Sequence, residues 1–316
     1  MTITADDLTM YDCFGKPRAI TLSWSRLNDW FKCKQRVKLL HEGKRGKLTN
    51  ARNFLVGNLA DHCMRAALTD APQDPEGRLL SLSMDDLLAP LPEKWVEETK
   101  PTKNTILKWD AANPRKDQEK VYNSAVETLE RLYPILQKNV VGHRFFPEFR
   151  PKEMPIIGIP GPDGEPTYIR LYLAVDCAVQ VEEGETPSSL GEWGLFDLKT
   201  TARQEYITHT MPQLVFYDIA WHAMTGKRPK AHGLWAPLMD NPEIPVHVDD
   251  DERAKVTEWI VSYCHSVWAG EDDLTEDESN CFNCSTKKSC PKVVKPITKD
   301  EQGISRVQFG KGMLRG

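Results

Sequence analysis

No stretch of this chain approaches the roughly 20 consecutive apolar residues that a helical membrane span needs, and the opening residues MTITADDLTMYDCFG hold neither a basic leader nor an apolar signal core. A helical membrane protein or an exported one is therefore not expected, and a cytoplasmic protein is. Internal repeats at solenoid periods and long Gly/Ser linkers are also missing, which argues for one unit with insertions over residues 1–316. Positive charge is not in excess: 41 Lys and Arg stand against 46 Asp and Glu, for a formal net charge of −5. That excludes a cationic coat but not a local basic surface. From Lys32 to Arg52 there are eight Lys or Arg against the single acid Glu42, whereas Asp249 to Glu278 is dominated by acids. A solvated helix face and a track for a phosphate backbone both fit the basic run.

The chain does have a distinctive order of elements. LSWSRLNDWFKCKQRVKLLH reads as a helix capped by Ser23 or Ser25, with Leu27, Trp30, Phe31 and Val37 as apolar contacts. NFLVGNLADHCMRAAL reads as a second helix, in which Leu55, Leu59, His62 and Ala66 form an inward stripe. A helical insertion with Trp95 and Trp109 follows. Next comes EMPIIGIPGPDGEPTYIRLYLAVDCAVQVEE, two strands about a turn, the second placing Asp176 between the small residues Ala174 and Ala178 on one face. The strand WGLFDLKT comes next, then a helix with Pro212 in its first turn. HGLWAPL and IPVHVDD read as added strands, and DERAKVTEWIVSYCHSVWAG as an amphipathic helix. The pattern predicts an α/β fold in four segments. They are N-terminal helices over 20–69, the insertion over 70–143, a sheet and helix over 144–250, and a C-terminal helix, cysteine-bearing segment and tail over 251–316.

Two constellations carry chemistry. In FDLKT, alternation puts Asp197 and Lys199 on one face and Phe196 and Leu198 on the other. By itself this equally fits an ion pair within a sheet. Asp176 on a neighbouring strand adds a second carboxylate, and two such oxygens suit a hard cation, Mg²⁺ or Mn²⁺. A lysine beside that cation can orient an attacking water and stabilise charge developing on a phosphate. Gln213 and Tyr217 share a helical face that could position the lysine or the phosphate. His62 could supply a further metal ligand. The second constellation is Cys281, Cys284 and Cys290, a C-x2-C-x5-C group one thiol short of a tetrahedral set, with Cys33 far upstream as the candidate fourth ligand. Zinc and a four-iron cluster need the same number of ligands, and spacing does not separate them.

In combination and order these motifs resemble the PD-(D/E)XK nuclease superfamily, specifically its RecB-like branch: the glycine and histidine helix as GNLADH, the aspartate strand as LAVDCAV, the DxK strand as FDLKT and the QxxxY helix as QLVFY. Two departures stand in the match. Four residues rather than three separate Gly57 from His62, and Leu173 stands where the family has glycine. The resemblance implies a restriction-endonuclease-like core, a central mixed sheet flanked by helices. It implies catalysis by Asp176, Asp197, Lys199, Gln213 and Tyr217, and metal binding by His62, Asp176, Asp197 and an upstream glutamate, Glu153 in preference to Glu148. LSWSRLNDWFKC also resembles the opening of iron-sulfur nucleases of this superfamily, which include the RecB-type nucleases of CRISPR adaptation and the AddB nuclease domain. That likeness implies a structural 4Fe-4S cluster on Cys33, Cys281, Cys284 and Cys290, joining the N- and C-terminal segments. The implied activity is Mg²⁺- or Mn²⁺-dependent exonuclease cleavage of single-stranded or end-containing DNA, with a helicase or recombination partner possible. Recombination, repair, spacer processing and phage genome metabolism all suit it. The rival reading is a non-catalytic nucleic-acid-binding or partner-docking subunit with a structural Zn²⁺.

Overall fold

In the computed structural model the described residues are 20–44, 48–49, 52–100, 105–161, 166–182, 192–275, 281, 284–286 and 289–291. The elements run β1 (Thr21–Ser23), α1 (Trp24–Lys32), α2 (Lys34–His41), β2 (Leu48–Thr49), α3 (Arg52–Asp70), α4 (Met84–Leu88), α5 (Leu91–Thr99), β3 (Thr105–Ile106) and α6 (Pro114–Asn139). Then come β4 (Phe145–Phe149), β5 (Ile156–Pro160), β6 (Pro166–Tyr172), β7 (Val175–Glu182), β8 (Glu192–Leu198), α7 (Gln204–Thr225), β9 (Ala231–Trp235), β10 (Glu243–Pro245) and α8 (Asp250–Trp268).

The central sheet has the order β10-β9-β8-β7-β4 and is mixed: β8 runs parallel to β9, and the remaining pairs are antiparallel. A three-stranded sheet, β1-β6-β5, stands beside it, and β2 pairs with β3. The run read as one long second strand is in fact two. It breaks at Leu173 and Ala174, so β6 joins the smaller sheet and β7 the central one. Leu171, Leu173, Val175 and Cys177 are all buried across the break, so a change of partner leaves no mark on the hydrophobic pattern.

Helix limits follow local chemistry. The Ser23 hydroxyl accepts from Arg26 N–H at 3.3 Å and opens α1, and the Asp249 carboxylate accepts from Glu252 N–H at 2.8 Å and opens α8. Gly226, at φ 71°, closes α7 in the left-handed conformation that only glycine adopts without cost. Pro212 does not stand in the first turn of α7. The helix opens at Gln204, eight residues before Pro212, which therefore lies inside it.

Two cores lie on the two faces of the central sheet. One gathers Leu195 and Leu234 with Leu214, Val215 and Phe216 of α7 and with Ile260 and Tyr263 of α8. The other gathers Leu198 and Trp235 with Leu59, Cys63 and Met64 of α3 and with Leu129 and Leu132 of α6. The helical segment over 70–143 thus shares with α3 the cover of one face of the sheet. Truncating one of these buried leucines to alanine costs about 2–5 kcal/mol.

Candidate active site

The site lies where β8 ends and β7 begins. Cys177 pairs with Phe196, so the next position along the antiparallel ladder sets Asp176 beside Asp197. The Leu198 N–H donates to Asp176 Oδ2 at 2.8 Å and fixes that carboxylate. On the other flank of β7, Glu148 and Asp176 fall between the Pro147–Cys177 and Phe149–Val175 pairs. Three acids therefore stand in a row across β4, β7 and β8. Glu148 has φ 55°, the one positive φ outside glycine among the described residues.

Asp197 is buried, and Lys199 ion-pairs with its Oδ2. From α7, the Gln213 Nε2 amide donates to Asp197 Oδ1 at 2.8 Å and to the Tyr217 hydroxyl at 2.7 Å, while Gln213 Oε1 accepts from Lys199 Nζ at 3.2 Å. One amide thus ties acid, base and phenol together. Asp197 Oδ2 remains without an aligned hydrogen bond. The Lys199 ammonium is its charged partner, and an ionised carboxylate oxygen has lone pairs enough to accept a second cation beside it.

The electrostatics agree. Burial, then the charge of Asp197, pushes the Asp176 carboxyl well above the usual carboxylate range, against the pull of Lys199. Burial alone would lower Lys199, but Asp197 and Asp176 outweigh it and hold the ammonium charged. Burial and the same two acids push the Tyr217 phenol well up, so it stays protonated. The molecule thus has one carboxylate too many for its own cations, and a divalent ion would remove the conflict.

Helix α3 delivers a residue that the motif reading passed over. An added Cβ on Gly57 would lie 3.0 Å from Thr200 Oγ1, so the glycine lets α3 approach the chain just after β8. At about 100° per residue, Asp61 is rotated about 40° from Gly57 and His62 about 140°. Asp61 accordingly feels Asp197 and Glu148, and Lys199 and Asp176 feel Asp61 in turn. Burial, first of all, raises the Asp61 carboxyl, with Arg65 opposing. His62 instead neighbours Lys94 and Glu97 of α5, and burial followed by Lys94 lowers its pKa. The buried stripe of α3 runs through Leu59, Cys63 and Ala67 rather than through His62 and Ala66. The four-residue gap after Gly57 was the available signal, because a three-residue gap ends on Asp61.

Glu153 is exposed in a bend ahead of β5 and makes no hydrogen bond or ion pair among the described residues. Glu148, by contrast, is held by Arg65 and Arg150 next to Asp61. The basic run is partly neutralised: Lys34 pairs with Glu271 at 2.5 Å and Asp273 at 3.0 Å, Lys38 with Asp272 at 2.5 Å, and Arg36 with Asp29 at 3.0 Å. Trp24 packs on Phe216 and Trp30 donates to Ser266 Oγ at 2.9 Å, both in helix-packing roles, while Phe31 is exposed against Trp259.

Among the described residues no group of three or more His, Cys, Asp or Glu side chains is gathered closely enough to hold a metal. For Mg²⁺ this is no obstacle, since it is commonly held by one or two carboxylates with water and substrate phosphate in the remaining positions. The cysteines are different. Cys33 contacts the Asp273 carbonyl at 3.9 Å and Cys284 lies 3.2 Å from Thr286 Oγ1, and no three thiols converge. The tail from residue 292 and Cys13 lie outside the described residues.

Comparison with known proteins follows the same division. No curated protein matches the chain. Among solved structures, the crystal structure of SSO0001 is similar over 77% of this chain and 96% of its own, at 13% identity and a TM-score of 0.33, too distant to bear on function. The model of the PD-(D/E)XK nuclease superfamily matches residues 21–291, from β1 through the cysteine segment, and the chain belongs to that superfamily.

Proposed function

We propose that this nuclease is a Mg²⁺- or Mn²⁺-dependent exonuclease on single-stranded or end-containing DNA, with Asp176 and Asp197 as metal ligands, Lys199 as the charged partner of the attacking water, and Gln213 and Tyr217 as its positioning groups. The observation that carries the reading is Asp197: buried, gripped on Oδ1 by Gln213, and holding the Lys199 ammonium on Oδ2 beside the Asp176 carboxyl. Asp61 and Glu148 take the outer ligand places in this reading, in preference to His62 and Glu153, because Asp61 and the two central acids feel one another and Glu148 stands beside Asp176 on the next strand and shares Arg65 with Asp61.

When bound, the cation supplies Lewis acidity toward the scissile phosphate and makes water a competent nucleophile near neutral pH. The protein's own groups do the rest. Lys199, charged at neutral pH, donates toward oxygens that gain negative charge in the transition state and holds the water in line. It does not act as a base, since its proton is stabilised by two carboxylates. Gln213 restrains both Asp197 and Lys199, so neither has to reorganise as the reaction proceeds. The Tyr217 phenol receives a hydrogen bond from Gln213 and keeps its own proton to donate.

A structural 4Fe-4S cluster on Cys33, Cys281, Cys284 and Cys290 belongs to the same proposal, supported by cysteine order and by the docking of 271–273 on α2, where Gln35 N–H donates to Asp273 O at 3.1 Å. Closing a loop of about 250 residues would be worth on the order of 5 kcal/mol. Brown anaerobic protein with bound iron supports it; colourless protein with stoichiometric zinc overturns it. For the activity, end-labelled single- and double-stranded DNA is incubated with Mn²⁺ and wild-type, Asp197→Ala or Lys199→Ala protein. Shortening of DNA from its ends by the wild type alone is expected. Internal cuts only would overturn the exonuclease assignment, and equal cleavage by all three proteins would remove the site.

A further inference from the structure

Arg65 lies one helical turn beyond Asp61 on α3, on the side of the site. Its Nη2 pairs with Asp61 Oδ2 at 2.7 Å and its Nη1 with Glu148 Oε2, so one planar guanidinium spans two acids from different elements. Glu148 is held at both ends, its Oε1 going to Arg150. These contacts restrain Glu148 in a left-handed backbone conformation that is strained for a non-glycine residue. The side chains of Arg65, Asp61 and Glu148 retain 29%, 31% and 27% of their exposure, so ions from solvent can reach the trio. Behind it stand Asp176 and Asp197 with Lys199, and the field of Asp176 extends to Arg65.

We propose that Arg65 is an internal counter-ion that competes with the divalent cation for Glu148 and Asp61, and thereby sets the cation affinity of the DNA-free enzyme. The inference rests on the metal-site assignment above. The trio is built as a substitute for a cation: a single positive group neutralises the two outer acids beside the Asp176 and Asp197 pair. Metal entry must break the Arg65–Glu148 pair, and a guanidinium released at the mouth of a nuclease site is free to pair with a DNA phosphate. Arg65 is thus a positioning residue that makes metal loading and DNA binding mutually favourable.

The test is Mn²⁺ binding by calorimetry on folded, DNA-free protein, with circular dichroism as the check of fold. Arg65→Met is expected to bind Mn²⁺ several-fold more tightly than wild type, whereas Arg65→Lys, which keeps the charge but loses the fork that spans both acids, falls between the two. In a Glu148→Gln background the Arg65→Met effect should shrink by more than half, because the contested acid is gone. At saturating Mn²⁺, Arg65→Met should raise KM for DNA more than it lowers kcat. Unchanged or weaker Mn²⁺ binding by a folded Arg65→Met protein overturns the counter-ion role. Asp197→Ala separates the two levels: if it binds Mn²⁺ as well as wild type, the metal-site assignment fails; if it loses binding while Arg65→Met does not gain it, only the role of Arg65 fails.

Discussion

Gln213 and Asp197 are joined by a 2.8 Å hydrogen bond that ties the middle of α7 to the end of β8. The same side chain accepts from Lys199, so it sets the distance between the carboxylate and the ammonium from outside β8 and the residue that follows it. Gln213→Ala is expected to lower kcat on the order of 10²-fold, the scale of a misplaced reacting group. Its apparent Mn²⁺ affinity should change far less, because both carboxylates remain. Single-turnover kinetics against Mn²⁺ titration checks this division.

Asp61 and His62 give a direct contrast on one helix. Asp61→Ala should weaken Mn²⁺ binding by about 10–100-fold, as loss of a supporting acid does at metal sites. His62→Ala should leave it within about threefold, since its neighbours are Lys94 and Glu97 rather than the central acids. Equal losses in the two variants would return the histidine to the site.

The Asp176 carboxyl provides the pH dependence. Its folded pKa is raised above the unfolded value near 3.8, by burial and then by Asp197. The metal-free fold therefore binds more protons than the unfolded chain above that pH, and its stability falls as pH rises toward the folded pKa. In EDTA, Tm should decline with rising pH across this window, and Asp176→Asn should flatten the decline while abolishing cleavage. Added Mn²⁺ competes with the proton, so its stabilisation of the wild type should grow with pH.

Gly57 faces Thr200, and an alanine there gains about 1 kcal/mol of helix propensity but sets its Cβ 3.0 Å from the threonine hydroxyl. Gly57→Ala is expected to reduce cleavage by displacing the end of β8, and Thr200→Ala to restore it in the double variant. Failure of the rescue would mean that the glycine does not set the approach of α3.

The centre of the site was legible in the sequence because it obeys local periods. Alternation put Asp197 and Lys199 on one face, and i,i+4 spacing put Gln213 and Tyr217 on another. What was not legible depends on distant partners or on backbone irregularity. The positive φ of Glu148 has no signature in FFPEF, and the sequence favours Glu153 only because EMPIIGI resembles the family's preceding strand. The basic run around Lys34 and Lys38 reads as a free surface until acids at 271–273, far along the chain, are folded against it. The segment over 70–143 reads as an insertion because its chemistry is silent, although its α6 leucines help cover a whole face of the sheet.

Asp218 follows Tyr217 on α7 and is fully buried, with Arg228 at 2.5 Å, Arg253 at 2.8 Å and His232 at 3.2 Å. It ties the catalytic helix to β9 and α8. Burial raises its carboxyl, but the His232 contact and the Arg253 hydrogen bond outweigh that and hold it below the usual range. Breaking a buried pair by removing one partner costs about 3–5 kcal/mol, because the remaining charge is stranded. Asp218→Ala should therefore lower the urea midpoint sharply while the transition stays cooperative. Since the folded pKa is depressed, the stabilisation from Asp218 is present above the unfolded carboxyl pKa and is lost as pH falls through the folded one. The gap between wild type and Asp218→Ala should consequently narrow in acid, and a gap that is constant with pH would show that packing, not charge, is what Asp218 supplies.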